Sequence, residues 1–293
     1  MRILHLDAGK ELRGGQWQVL RLVEGLAAEG VESTLLARPG APLFQAARQR
    51  GWRVEPLSLT RVVMLSRSHH LVHAHDSRSH TLGAMVPGRP LLVSRRVAFS
   101  AGTKWKYARA RHYLAVSNFV KDKLLSGGVP DEKISVVYDG VPLLEPSHGS
   151  SVLAPAYLDD PRKGAPLAMD AARLAGVSLQ LSADLERDLP EAAVFVYITH
   201  SEGLGSGALM AMSAAVPVIA SNVGGLPEFI RHRQNGILVQ NDAAEIAAAI
   251  RELLADRDFA RRIGAAARQT IQERFTVDHM VRRTMEVYRQ VLS

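Results

Sequence analysis

Two spacings of apolar residues alternate along the chain. Short uninterrupted apolar runs, such as Ile3-Leu4-His5-Leu6, read as strands buried on both faces. Between them, apolar residues recur at helical spacing. Val19, Leu20, Leu22, Val23 and Leu26 form one stripe over 15–28, and Gly30 ends it. The pattern predicts strands over 2–6, 32–37, 71–75, 91–94, 113–117 and 134–138, with helices over 15–28, 42–50 and 118–125. Asp76 is placed to cap a further helix over 77–85. Strands separated by helices imply a parallel sheet with helices on both faces, and ligands bind beyond the carboxyl ends of such strands.

Residues 142–151 are rich in Pro, Gly and Ser without periodicity and read as a linker. A second alternating unit follows. Its strands are expected over 152–154, 177–181, 194–198, 216–220 and 236–239, and its helices over 165–174, 185–192 and 207–215. Three helices close the chain, over 242–254, 258–275 and 277–292, with Asp242 and Glu245 in a capping pattern at the first. The fold class is therefore α/β: two Rossmann-like, doubly wound domains facing a cleft, over 1–142 and 152–276.

Composition narrows the function. Of the 293 residues 47% are hydrophobic and 22% charged, as in ordinary globular proteins. The absence of cysteine excludes disulfides, thiol catalysis and Cys-based zinc sites. A net charge of +7 favours an anionic partner. The arginines are dispersed and no RNA-binding signature appears, so nucleic acid is not expected. No secretory signal precedes the first strand, and no apolar run nears the roughly 20 residues that span a bilayer. The expectation is a cytoplasmic protein, at most peripheral at an anionic membrane surface.

The stretch His200-Ser201-Glu202-Gly203-Leu204-Gly205-Ser206 follows a strand and opens a helix, and Gly224-Gly225-Leu226-Pro227-Glu228 follows the next strand. A helix start with glycine before it suits a phosphate, and a carboxylate just ahead suits sugar hydroxyls. Gly14-Gly15 lets the backbone at the first helix approach a diphosphate without a Cβ in the way. His73 and His75 end a strand on the same side. With only Asp76 as a further ligand nearby, no metal site is expected there. Asp160-Pro161-Arg162-Lys163-Gly164 precedes another helix, where a lysine can neutralise a diphosphate. Asp159-Asp160 is an acidic pair in the wrong kind of loop for a metal. Ser94-Arg95-Arg96, with Lys104, Lys106, Arg109 and Arg111, reads either as a solvated basic face or as contact with an anionic acceptor or lipid surface.

In this order the motifs resemble those of retaining GT-B glycosyltransferases of the family 4 type. The resemblance runs nearly end to end, including Ala115-Val116-Ser117 and Val136-Val137-Tyr138-Asp139-Gly140-Val141. It implies that the final helix, 277–293, rejoins the first, acceptor-binding domain, and that the domain over 152–276 binds the donor. It implies a nucleotide-diphosphate sugar as donor substrate, no cofactor and no metal, while the positive charge favours a glycan or lipid-linked acceptor. Glu202 and His75 would orient the sugar and Lys163 would neutralise the leaving diphosphate. Gly14, Gly15, Gly205 and Ser206 would face phosphates, and Glu228 would anchor its own loop. Arg162 would stand in for an arginine that the family places earlier, where this chain has Tyr157-Leu158.

Two departures bear on activity. Met210 stands where the family has a second glutamate for the ribose. Only 39 positions separate Lys163 from Glu202, so the donor domain is compressed. The alternative these departures favour is a non-catalytic homologue serving as a binding or scaffold subunit in glycan assembly. A dehydrogenase, suggested by fold analogy, lacks Gly-x-Gly-x-x-Gly after the first strand.

Overall fold

The computed structural model describes residues 1–97, 104–157, 160 and 162–293, with the Lys104 side chain outside that set. It divides into two compact units. The first comprises Met1–Gly140 with Val277–Ser293, and the second Val141–Thr276.

In the first unit the strands are β1 (Arg2–Asp7), β2 (Glu32–Ala37), β3 (Val54–Pro56), β4 (Leu71–Ala74), β5 (Leu91–Arg95), β6 (His112–Ala115) and β7 (Ile134–Val136). The helices between them are α1 (Gly14–Ala28), α2 (Pro42–Gln49), α3 (Leu59–Ser66), α4 (Ser77–Ala84), α5 (Lys104–Arg109) and α6 (Asn118–Ser126). All seven strands pair in parallel, in the order β3-β2-β1-β4-β5-β6-β7. The order reverses between β1 and β4, which makes their carboxyl ends the switch point where ligands bind in such sheets. Hydrogen bonds from the Arg78 and Ser79 amides to the Asp76 carboxylate start α4. The β3–α3 excursion, absent from the sequence pattern, adds an edge strand of three half-buried residues and a helix capped by Ser58.

The second unit holds β8 (Ser151–Pro155), α7 (Ala165–Ala175), β9 (Leu179–Ser182), α8 (Leu185–Asp188), β10 (Ala192–Tyr197), α9 (Ser206–Ser213), β11 (Val218–Ser221), β12 (Ile237–Val239), α10 (Ala243–Ala255) and α11 (Arg257–Arg274). Its parallel sheet runs β12-β11-β10-β8-β9, so here the switch point lies between β8 and β10. Val152, Val194, Val196, Ile219 and Ile237 from the sheet pack with Ile246, Ile250 and Leu253 of α10.

The expected helix over 185–192 is shorter than its pattern: α8 ends at Asp188 and a 3₁₀ turn carries Leu189–Glu191 into β10. Pro190 has no amide to donate, which stops the α-helix there. Residues 142–151 are not a free linker. The Ser147 amide donates to the Ala214 carbonyl, and its hydroxyl reaches the carbonyls of Pro190 and Ala192 at 2.7 and 2.6 Å. These bonds pin the segment onto the second unit.

The last helix, α12 (Val277–Leu292), completes the first unit. Met280, Val281, Met285, Val287, Tyr288 and Val291 pack with Ile3, Leu22, Leu26 and Leu71. Each such side chain, fully buried, contributes roughly 1.5–3 kcal/mol of transfer free energy. Close approach of α12 to α1 depends on Gly25, where a Cβ would lie 2.5 Å from Val281 Cγ2.

Candidate functional site

The switch point of the second unit brings Lys163 and Glu202 together. Lys163 lies in the turn between β8 and α7, and Glu202 between β10 and α9. Residues 162–164 lie antiparallel against those leaving β10. Lys163 pairs with Thr199, the Gly164 amide donates to the Ile198 carbonyl at 2.9 Å, and the His200 amide donates to the Arg162 carbonyl at 2.8 Å. Gly164 permits this approach, since a Cβ there would lie 2.4 Å from Ile198 Cγ2. The backbone thus delivers the lysine to the glutamate: Lys163 Nζ donates to Glu202 Oε2 at 2.5 Å.

Two more donors hold the same carboxylate. The Tyr197 hydroxyl donates to Oε2 at 2.7 Å and the Gly203 amide to Oε1 at 3.1 Å. Burial and then the adjacent Glu202 charge push the Tyr197 hydroxyl well above its ordinary pKa, so it stays protonated and donates. Lys163 lies over the Tyr157 and Tyr197 rings, at 5.6 and 5.8 Å. The Lys163 and Glu202 side chains keep 21% and 15% exposure, so the pair is screened but reachable.

Glycine shapes the rest of this edge. Gly205 precedes α9 at φ +109°, and a Cβ there would meet Leu226 Cδ2 at 2.6 Å. Gly224, at φ +60°, faces the Glu202 carbonyl, which a Cβ would approach to 2.0 Å. The two glycine loops therefore pack backbone to backbone. Ser206 is the first residue of α9, whose start offers amides without intrahelical partners and a positive dipole end.

Arg162 turns elsewhere. Its guanidinium grips Asp160 through two bonds of 2.9 and 2.8 Å, and this grip lowers the Asp160 carboxyl to about 2. Leu158, Asp159 and Pro161 lie outside the described residues. Met210 is buried in α9. The sequence pattern does not single out Tyr197, and it marks Tyr157 only as standing where the family has an arginine. The signal for Tyr197 is a phenol at the carboxyl end of an otherwise apolar strand, five positions before the glutamate.

His75, Gly14 and Gly15 belong to the first unit. Gly14 and Gly15 are the first residues of α1. A Cβ at Gly15 would meet only Arg96 Cδ, at 3.8 Å, so internal packing does not demand glycine there. The register sets His5 beside His73, and the His75 amide donates to the Leu6 carbonyl. Three buried imidazoles result, with ligand atoms within 4.8 Å of one another. Asp76 is not part of this group, because its carboxylate is spent on amides. His73 has both nitrogens engaged, with the Tyr288 hydroxyl at 2.7 Å and the Ser94 hydroxyl at 2.8 Å. His5 lies between the Ser33 hydroxyl and His75 Nε2. This reads as a hydrogen-bonded chain rather than a cation cage. Burial lowers all three histidines, His5 to about 3, so they are neutral. His75 Nδ1 alone among these ring nitrogens is buried without a partner. Nearby, burial and then the Asp76 charge raise the Asp7 carboxyl to about 6, and Arg96 bonds Asp139 at 3.0 Å.

Two parallel sheets, each with chemistry at its switch point, meet independent support from known proteins. The family model described as Glycosyltransferase Family 4 matches residues 12–144, and that described as Glycosyl transferases group 1 matches 177–270. The chain belongs to the GT-B glycosyltransferases of the family 4 type. Among curated family members, an alpha-maltose-1-phosphate synthase of Mycolicibacterium smegmatis is 41% identical over 110 residues, 35% of this chain and 28% of that protein. A GDP-mannose-dependent alpha-(1-6)-phosphatidylinositol monomannoside mannosyltransferase of Mycobacterium tuberculosis is 39% identical over 89 residues, 30% of this chain and 23% of that protein. The matched stretch thus spans less than a third of each relative. The GT-B fold is shared over the full length with HepE of Anabaena in complex with UDP-glucose, at TM-score 0.88 and 18% identity, covering 99% of this chain and 100% of that one. A sucrose-phosphate synthase of Thermosynechococcus elongatus gives 0.79 and 20%, covering 99% of each. No helix among the described residues is long and apolar enough to cross a membrane.

Proposed function

We propose that this chain transfers a sugar from a nucleotide-diphosphate sugar to a glycan or lipid-linked acceptor, with retention of anomeric configuration. One observation supports this above the rest. Glu202 is held by Lys163, Tyr197 and its own loop directly before the glycine-led start of α9. That arrangement sets a carboxylate, an ammonium and a cluster of amides within one donor's length. Sugar hydroxyls suit the carboxylate, while the diphosphate suits the ammonium and the amides.

In this reading the bond between the anomeric carbon and the diphosphate oxygen breaks, and the acceptor oxygen bonds to that carbon on the same face. The departing phosphate takes the acceptor's proton. Lys163 and the α9 amides stabilise the charge that develops on the diphosphate, so the positive charge comes from the protein and no metal is required. Glu202 orients the sugar. Arg162, clamped on Asp160, acts by stiffening the loop that carries Lys163. The net charge of +7 suits a cytoplasmic enzyme that works at the anionic inner face of a membrane.

Buried Met210 favours a second reading, a non-catalytic subunit in glycan assembly, because it offers no carboxylate to the ribose. One experiment separates the two. Purified chain is incubated with UDP-glucose or GDP-mannose, and sugar transfer and slow donor hydrolysis are followed beside Glu202→Ala. Turnover abolished by that substitution supports the transferase. Absence of turnover and of calorimetric donor binding supports the scaffold.

A further inference from the structure

The first unit has a cavity of about 550 Å³ that the donor chemistry does not use. It opens at the carboxyl edge of the sheet, lined by Ala8 after β1, Arg38 after β2, Leu57 after β3, Leu59 of α3, and Arg78 and Leu82 of α4. Its size is that of a small-ligand site. Its lining has two characters: leucines make an apolar wall, and two arginines supply charge.

Both arginines are exposed, and among the described residues neither guanidinium has an ion-pair or hydrogen-bond partner. Other arginines of this unit are engaged: Arg96 with Asp139, Arg61 with Glu55, and Arg89 with the carbonyls of Ser66 and Arg67. The Asp76 carboxylate, bonded to the Arg78 amide, does not neutralise the pair either. Asp76 accepts from the amides of Ala8, Arg78 and Ser79, so its charge is compensated by backbone dipoles. Asp7 is buried and turned toward Gly9 and Gln16. The cavity is therefore net positive at a sheet edge suited to ligands.

We propose that this cavity takes an anionic group, a phosphate ester or carboxylate, on the sugar acceptor, with Arg38 and Arg78 as its recognition residues. The proposal rests on the reading of the chain as a sugar transferase and gives the acceptor a chemical class. Planar guanidiniums match such oxyanions through paired N–H donors, and the leucine wall suits the carbon skeleton beside them.

The test is calorimetric titration of the full chain with glucose 6-phosphate, a soluble ester, and with vesicles of phosphatidylinositol in phosphatidylcholine, a lipid headgroup. Unphosphorylated glucose, UDP-glucose and GDP-mannose are titrated in parallel. One phosphorylated probe is expected to bind and glucose is not. Affinity for that probe is expected to fall about tenfold in Arg38→Gln and again in Arg78→Gln, with partial recovery in the lysine variants. Melting temperature and UDP-glucose affinity are expected to stay unchanged, since both side chains are exposed and belong to the other unit. The probe that binds names the source of the anion. Failure of both probes to bind, or binding that survives in the double variant, overturns the proposal. Arginine-dependent capture of phosphate without binding of UDP-glucose or GDP-mannose supports the cavity and overturns the transferase reading instead.

Discussion

The hydroxyl of Tyr288, in the last helix, lies 2.7 Å from Nδ1 of His73 in the fourth strand, and both side chains are fully buried. This bond joins residues 215 positions apart and ties α12 to the carboxyl edge of the first sheet. Tyr288→Phe keeps the ring but strands a buried imidazole nitrogen. The expected cost is about 1–3 kcal/mol, read as a lower urea midpoint with an unchanged slope. A midpoint equal to the wild type's would show that the bond contributes nothing net.

Stability is expected to fall in mild acid. Burial holds His5, His73, His75 and His80 below the ordinary 6.5, His5 at about 3 and His80 at about 4. The unfolded chain takes up protons near 6.5 while the folded chain does not, so folding weakens as pH drops from there toward 3 to 4. Asp7 works the other way. Its carboxyl is raised from 3.8 to about 6, so its penalty is present above that range and is relieved as pH falls toward 4. Several histidines outweigh one carboxyl. Urea midpoints at about pH 7.5 and about pH 5 test the sum, and a midpoint no lower at the acid end contradicts it.

Tyr197 acts through Glu202. Tyr197→Phe removes one of the donors that fix the carboxylate, and the expected result is a loss of about tenfold in kcat with a smaller change in KM. Glu202→Gln is expected to lose more, because the lysine then faces a neutral amide. If Tyr197→Phe turns over at the wild-type rate, the phenol has no positioning role.

Lys163→Met is expected to reduce transfer by about a hundredfold while shifting stability by at most about 1 kcal/mol, since the ion pair is partly solvated. Steady-state kinetics with thermal melting separates the two effects. A large melting shift with intact kinetics would make the pair structural.

Gly224→Ala is expected to cost more than about 1 kcal/mol, because it adds a Cβ at positive φ against the Glu202 carbonyl. Donor affinity is expected to fall with it, as the Glu202 loop is displaced. Calorimetry of donor binding checks this, and unchanged affinity would mean that the loop absorbs the methyl group elsewhere.

Most of the alternation that makes this fold is visible in the chain. The Glu32–Ala37 strand and the Val277–Leu292 helix have the bounds their patterns suggest, because glycine punctuation and strong amphipathic spacing act locally. The Val54–Pro56 strand is not visible, since three half-buried edge residues with a glutamate among them lack an alternating pattern. The Ser147 segment looks free in sequence because its anchors are carbonyls 43 and 45 positions away. At the candidate site, Lys163 and Glu202 were legible from glycine neighbours that the backbone contacts require. The imidazole group was only half legible. His73 and His75 share a strand, but His5 joins them through sheet register, which no local pattern encodes.

The return of α12 has a consequence for biosynthesis. The first unit leaves Ile3, Leu22 and Leu71 without their full cover until the ribosome has released residues 277–292. The segment between the two parts of that unit is a compact body of its own and is translated earlier than this cover. A nascent chain stalled before Val277 would thus display a sticky apolar face for as long as translation is paused.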